Sequence, residues 1–229
     1  MTKYRLVKYI LFFSCLILFF NGCSAKNKSN PDQVRHEVLL ERGLKELRNG
    51  DYARALAILK GVKDRYPYTK SAIIAHLKLA DTFFELDEFD EAFDLYDEFV
   101  SFHPKDPKAP YTMFQMGMCN FVRIRGFDRE QEHINKAREM FERLITKYPD
   151  NEYSYTARKN LRKCLAFLAQ YELSVGNFYF KQGSYISALE RFTYAIKNFP
   201  DMGHYHEALE NISKCKQKLA KERGTAEAN

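Results

Sequence analysis

The 229-residue sequence has no tryptophan, and it contains only 10 glycines and 7 prolines. So few turn formers exclude an all-β sandwich or barrel, whose short strands need a turn signal about every ten residues. Five cysteines are present, but no C-x-x-C pair. Cys119, Cys164 and Cys215 are widely spaced and odd in number, which excludes a disulfide framework and a zinc site and leaves buried helical thiols as the expectation. There is no glycine-rich phosphate loop, no dinucleotide fingerprint, no G-x-S-x-G and no H-E-x-x-H. The acidic run DEFDEAFDLYDE lacks the glycine that a calcium loop needs at its sixth position. His204 and His206 stand two apart, which points them to different faces of a helix. No residue is nominated for catalysis, so the expectation is a protein that is not an enzyme, with no metal and no catalytic residue. The formal charge is +6. Lys3, Arg5 and Lys8 account for three of those charges, and 6 − 3 leaves about +3, too weak for the concentrated basic face that nucleic acid requires.

What the sequence does have begins with a leader. MTKYRLVK is basic, and YILFFSCLILFF is an apolar run shorter than the ~20 residues that cross a bilayer, so residues 1–22 read as a secretion signal. Gly22-Cys23 follows at once and resembles the lipobox of bacterial lipoproteins, which predicts lipid on Cys23 as the only covalent group. Phe20 and Asn21 depart from that pattern, and an ordinary cleaved leader or an uncleaved anchor is the alternative. Ser24 rather than Asp after the cysteine favours the outer membrane, by analogy with enteric lipoproteins. Residues 23–33 are polar and read as a flexible tether.

The remainder repeats itself. GDYARALAILKGVKDRYP, EFDEAFDLYDEFVSFHP, HINKAREMFERLITKYP and SYISALERFTYAIKNFP align on Ala55, Ala92, Ala137 and Ala188. Twelve residues on come Pro67, Pro104, Pro149 and Pro200. Large apolar residues recur at offsets −3, +4 and +7, one face of an α-helix. Proline ends each helix because it lacks an N–H and its ring clashes with the preceding turn. Small residues twelve before the alanine (Gly43, Ala80, Gly176) mark a partner helix; in the third repeat Gly117 stands twenty before, implying an insertion of eight. The pattern resembles the tetratricopeptide repeat, at lengthened spacings of 37, 45 and 51. It implies an all-α, right-handed superhelical solenoid over 34–221, with about four helix pairs and a capping helix near 204–221, then a disordered tail over 222–229. One pair cannot bury its apolar face alone, whereas stacked pairs can and present an extended binding surface.

In such arrays the first helices line the groove. Matching positions are Glu37, Leu40, Leu44, Leu47 and Arg48 in the first repeat, and Ile74, Leu77, Asp81, Phe84 and Glu85 in the second. That mixture suits an extended or amphipathic peptide, although Leu44 and Leu77 fit packing between repeats equally well. From Leu79 to Pro104 there are nine acids and no Lys or Arg, against a basic first repeat. This reads as a solvated face, a docking surface or an electrostatic contact between repeats.

Longer stretches carry a closer likeness. DRYPYTKSA, HPKDPKAPYTMFQMGMCNF, GFDREQEHINKAREMFERLITKYPDNEYSYTARKNL and LAQYELSVGNFYFKQGSYISALERFTYAIKNFP together resemble the BamD family, lipoprotein subunits of the outer-membrane β-barrel assembly machinery. The resemblance implies an adaptor on the periplasmic side of the outer membrane. Its partners would be unfolded outer-membrane proteins, the barrel-forming subunit and accessory lipoproteins. It also implies partner contacts at Arg191 and at the D-R-x-Q of the insertion, Asp128, Arg129 and Gln131, although Arg191 reads equally as an ordinary exposed helix residue. A different tetratricopeptide lipoprotein, such as a secretin pilotin or an envelope scaffold, shares the anchor and the repeats but does not require that insertion.

Overall fold

The computed structural model describes residues 31–127, 131–200 and 202–227. They form α1 (Pro31–Arg48), α2 (Tyr52–Arg65), α3 (Lys70–Glu85), α4 (Phe89–Phe102), α5 (Ala109–Phe121), α6 (Gln131–Lys147), α7 (Glu152–Lys181), α8 (Tyr185–Asn198) and α9 (Tyr205–Glu227), with no strand among the described residues. By contact the chain divides at Val38, and from Leu39 onward each helix packs chiefly on its sequence neighbours. The expected four pairs and a terminal helix are therefore α1/α2, α3/α4, α5/α6, α7/α8 and α9.

The four aligned segments become α2, α4, α6 and α8, and their ends have a local cause. Each stops two residues before its proline. The intervening Tyr66, His103 and Phe199 sit at φ −129°, −126° and −135°, because a following proline disfavours helical backbone. Their N–H groups still close the last turn onto Val62, Phe99 and Ala195. At the other end, Asp51, Thr69 and Asn151 side chains accept from the N–H of Arg54, Ala72 and Tyr153 at 3.0–3.1 Å, satisfying first-turn donors that a helix leaves orphaned. The turns within pairs need left-handed backbone: Gly50 (φ 77°), Gly183 (φ 78°) and, in the second pair, Asp87 (φ 61°).

Burial follows the repeat register. Ala55, Ala92, Ala137 and Ala188 are fully buried, as are Leu59, Tyr96, Phe141 and Phe192 four residues on. The small residue of the preceding helix is what admits that second, larger set. A methyl group on Gly43 would lie 2.8 Å from Leu59, on Gly117 2.4 Å from Phe141 and on Gly176 2.6 Å from Phe192. Each pair is thus a large side chain seated on a bare backbone, and burying each one contributes about 1.5–3 kcal/mol.

Three features differ from the sequence reading. Helix α1 begins at Pro31, inside the span assigned to the tether; proline is tolerated there because a first-turn N–H has no intrahelical partner. The spacing of 51 between the last two segments is taken up by helix, since α7 runs for 30 residues, about 45 Å at 1.5 Å per residue. Its N-terminal half (Ala157, Cys164, Leu168) belongs to the central core and its C-terminal half (Leu173) to the core shared with α8 and α9. And α9 continues to Glu227, through residues read as tail; Lys, Glu and Ala there are strong helix formers.

Candidate functional site

The first helices of successive pairs bring two clefts to their side of the array. The first, about 310 Å³, lies among α3, α5 and the start of α7. Ile73, Ile74 and Leu77 make its apolar wall; Lys78, Lys108 and Asp106 stand at the rim, and Tyr111 and Tyr153 meet edge to face, 5.4 Å between centroids. At its base the Asp81 carboxylate accepts hydrogen bonds from Tyr96 Oη (2.9 Å) and Tyr111 Oη (2.8 Å) through one oxygen, and from Lys78 Nζ (2.8 Å) through the other. Burial, reinforced by the Asp81 charge, raises both phenols well above their ordinary range, so they stay protonated donors. Three helices (α3, α4 and α5) are thereby joined at one charge.

The second cleft, about 460 Å³, lies between the C-terminal half of α7 and the start of α9, with Phe127 of the α5–α6 connection at its edge. Asn211 Nδ2 donates to Asn177 Oδ1 at 3.2 Å across it, while Lys181 and Glu207 supply opposite charges. Both clefts offer apolar walls with a few fixed polar groups, which suits side chains of an extended segment and carries no arrangement for bond making. Among the described residues no group of three His, Cys, Asp or Glu side chains is placed to hold a metal. The thiols of Cys119, Cys164 and Cys215 are buried as expected. Burial pushes the first two up to about 12 and raises the third, leaving unreactive thiols.

The predicted groove residues separate. Ile74 and Asp81 line the first cleft, whereas Phe84 is half-buried, its ring packed against Phe89 at 5.3 Å. Glu37, Arg48 and Glu85 are exposed but away from either cleft lining. Leu40 is a correction: it is 6% exposed and packed with Leu59, Val62, Ala75 and Leu79, so it belongs to the core. Leu77 is buried too, at the cleft wall. On α8, Arg191 bonds the Glu172 carboxylate of α7 at 3.1 Å; that hydrogen bond raises its pKa further, and its side chain remains 44% exposed. Gln131 donates from Nε2 to the Phe127 carbonyl and closes the insertion onto α6. Asp128, Arg129 and Cys23 lie outside the described residues. Sequence reasoning missed Tyr111 and Tyr153; their signal was only that both stand near the start of a first helix.

The contact between the basic first repeat and the acidic second is present. Lys63 of α2 bonds both Glu98 oxygens of α4 at 2.8 and 2.9 Å. His76 lies beside them, 3.5 Å from Glu98 and with Nε2 2.9 Å from the Leu95 carbonyl; a carbonyl only accepts, so Nε2 carries the proton. Burial first, and then the Lys63 charge, lower the His76 pKa below 6.5. Arg123 reaches Asp90 at 2.6 Å.

The comparison with known families decides what this array is. The family described as "YfiO: Outer membrane lipoprotein" matches residues 32–229. The chain belongs to the YfiO family. Relatives of this YfiO-family chain include the protein of Neisseria meningitidis serogroup B named outer membrane protein assembly factor BamD, 25% identical over 96% of this chain and 88% of its own length. The protein of the same name from Vibrio cholerae is 24% identical over 95% and 92%. That of Caulobacter vibrioides is 27% identical over 82% and 63%. Among solved structures, the yeast Sti1 TPR2AB domain is 16% identical over 81% of this chain and 71% of that one, with a TM-score of 0.46. A Podospora anserina protein of kinesin-light-chain-like repeats is 14% identical over 82% and 96%, at 0.45. No helix of the described residues in this YfiO-family chain is long and apolar enough to cross a membrane.

Proposed function

We propose that the chain is an outer-membrane protein assembly factor that works as a non-catalytic adaptor. The observation that carries this reading is the family match, which runs through all of the described repeats, together with relatives named for that activity over nearly their whole length. In the proposed mechanism, lipid on Cys23 holds the adaptor at the periplasmic face of the outer membrane. Three acyl chains anchor stably where one binds only marginally. Unfolded outer-membrane proteins present extended segments to the first-helix side. The Ile74–Leu77 wall takes an apolar side chain, while Lys78 and Lys108 meet carboxylate or carbonyl groups. Because Asp81 ties α3, α4 and α5, the cleft is preorganised and little ordering entropy is lost on binding.

The barrel-forming subunit and accessory lipoproteins engage the C-terminal pairs in this scheme, with Arg191 as one contact. Its ion pair with Glu172 is half-exposed, so a partner carboxylate can share the guanidinium without stranding Glu172 in a dry site. The test is depletion of the chain in its host, scoring the heat-modifiable, folded fraction of outer-membrane barrels. A fall restored by the wild-type chain and not by Cys23→Ser supports the anchored adaptor. An unchanged folded fraction on depletion refutes the assembly role.

A further inference from the structure

Helix α9 is a first helix whose second-helix side is bare. Thirteen residues after the prolines that end α2 and α4 come the small residues Ala80 and Gly117; thirteen after Pro200 comes Ser213. Ala80 and Gly117 are buried, and Gly117 is the seat of Phe141 from the following helix. Four residues earlier in each register stand His76 and Met113, 3% and 2% exposed, but Leu209 in α9 is 42% exposed and Ser213 is exposed with it. The opposite side of α9 is satisfied, since Ala208 and Cys215 pack with Phe192 and Leu173. A seat for a large side chain is therefore present at Ser213, and among the described residues no helix occupies it.

The flanks say what fits. Leu209, Ser213, Gln217 and Ala220 make one exposed stripe. Lys214 and Lys218 border it on one side, Lys216 and Arg223 on the other. Lys214 already pairs with Glu210 at 2.7 Å, which shows the kind of group this border takes. We infer that α9 docks an amphipathic helix of another protein that seats an aromatic or large aliphatic side chain at Ser213 between acidic borders, completing a fifth helix pair in trans. A second copy of this chain fits poorly, because two α9 faces brought together would oppose lysine to lysine. The inference concerns a different surface from the two clefts and does not rest on the assembly role.

The test uses the full-length chain and a hydrocarbon-stapled helical peptide of residues 88–104, an acidic second helix with Tyr96 at the seating position. Saturable binding is expected. It should weaken about tenfold or more in Ser213→Phe, which fills the seat, and in Leu209→Glu. It should fall at raised salt and be lost for a peptide with its acids changed to lysine. Both variants alter exposed positions, and unchanged melting temperatures confirm that they fold. Absence of saturable binding overturns the inference. So does binding that ignores both substitutions, equal binding of the lysine peptide, or a homodimer in sedimentation that Ser213→Phe dissociates.

Discussion

Gly117→Ala is the most searching test of the packing, because helix propensity and packing predict opposite signs. In the interior of a helix, alanine is favoured over glycine by about 1 kcal/mol. The added methyl, however, would lie 2.4 Å from Phe141 Cε1, 2.7 Å from Cδ1 and 3.0 Å from Cζ. Phe141 cannot yield easily: it is fully buried, with Phe114 and Phe121 rings 5.9 and 5.8 Å away. Overpacking of this kind costs about 1–3 kcal/mol, so the net effect is a loss of up to about 2 kcal/mol. Gly61 in α2 is the control, since nothing lies within 4 Å of a methyl built there; Gly61→Ala should stabilise by about 0.5–1 kcal/mol. Thermal denaturation followed by circular dichroism should separate the two by several degrees. Phe141→Leu should offset part of the Gly117→Ala cost, so that the double variant loses less than the sum of the singles. If Gly117→Ala is as stable as Gly61→Ala, the seating of Phe141 on bare backbone is wrong.

Four further outcomes follow from the same contacts. Asp81→Ala leaves the buried Tyr96 and Tyr111 hydroxyls without their acceptor and should cost about 2–3 kcal/mol in urea denaturation, whereas Tyr111→Phe should cost about 1 kcal/mol. Asp87 holds φ 61° where the equivalent turns use glycine; Asp87→Gly should raise the midpoint by about 0.5–1 kcal/mol of stability, and a decrease would refute the turn assignment. His76 has its pKa lowered by burial and by Lys63, with Glu98 and His103 also facing it. Neutral His76 therefore contributes stability that is complete above its ordinary 6.5 and lost as pH falls below it, because the unfolded chain takes up the proton first. The stability slope between about pH 6.5 and 5 should flatten in His76→Gln. Cys119, Cys164 and Cys215 should resist maleimide labelling in the native state and react fully in denaturant; native labelling at the rate of an exposed thiol would contradict their burial.

Much of the architecture was legible because its cause is local. Ala55, Ala92, Ala137 and Ala188, the prolines twelve on and the small residues of the preceding helices each report a steric requirement, and α2, α4, α6 and α8 lie where those residues demand. The long α7 was not legible, because a heptad-like run without glycine or proline looks the same whether it is one helix or two. Periodicity assigns a residue to a face but does not say which neighbour covers that face. Hence Leu40, placed toward the groove by register, is buried against Leu59 and Val62. Asp81 was placed correctly in the first cleft, yet its two tyrosine partners, 15 and 30 residues away, are a product of the fold and leave no mark in the sequence.

Affinity purification of the tagged full-length chain from detergent-solubilised envelopes, with mass spectrometry of co-eluting proteins, tests the central claim most directly. The account predicts a large outer-membrane barrel protein with periplasmic domains in near-stoichiometric amount. It predicts its loss in Arg191→Glu at nearly unchanged melting temperature, since the Arg191–Glu172 pair is half-exposed and worth less than about 1 kcal/mol. Recovery of a secretin, or of no barrel protein at all, would contradict it.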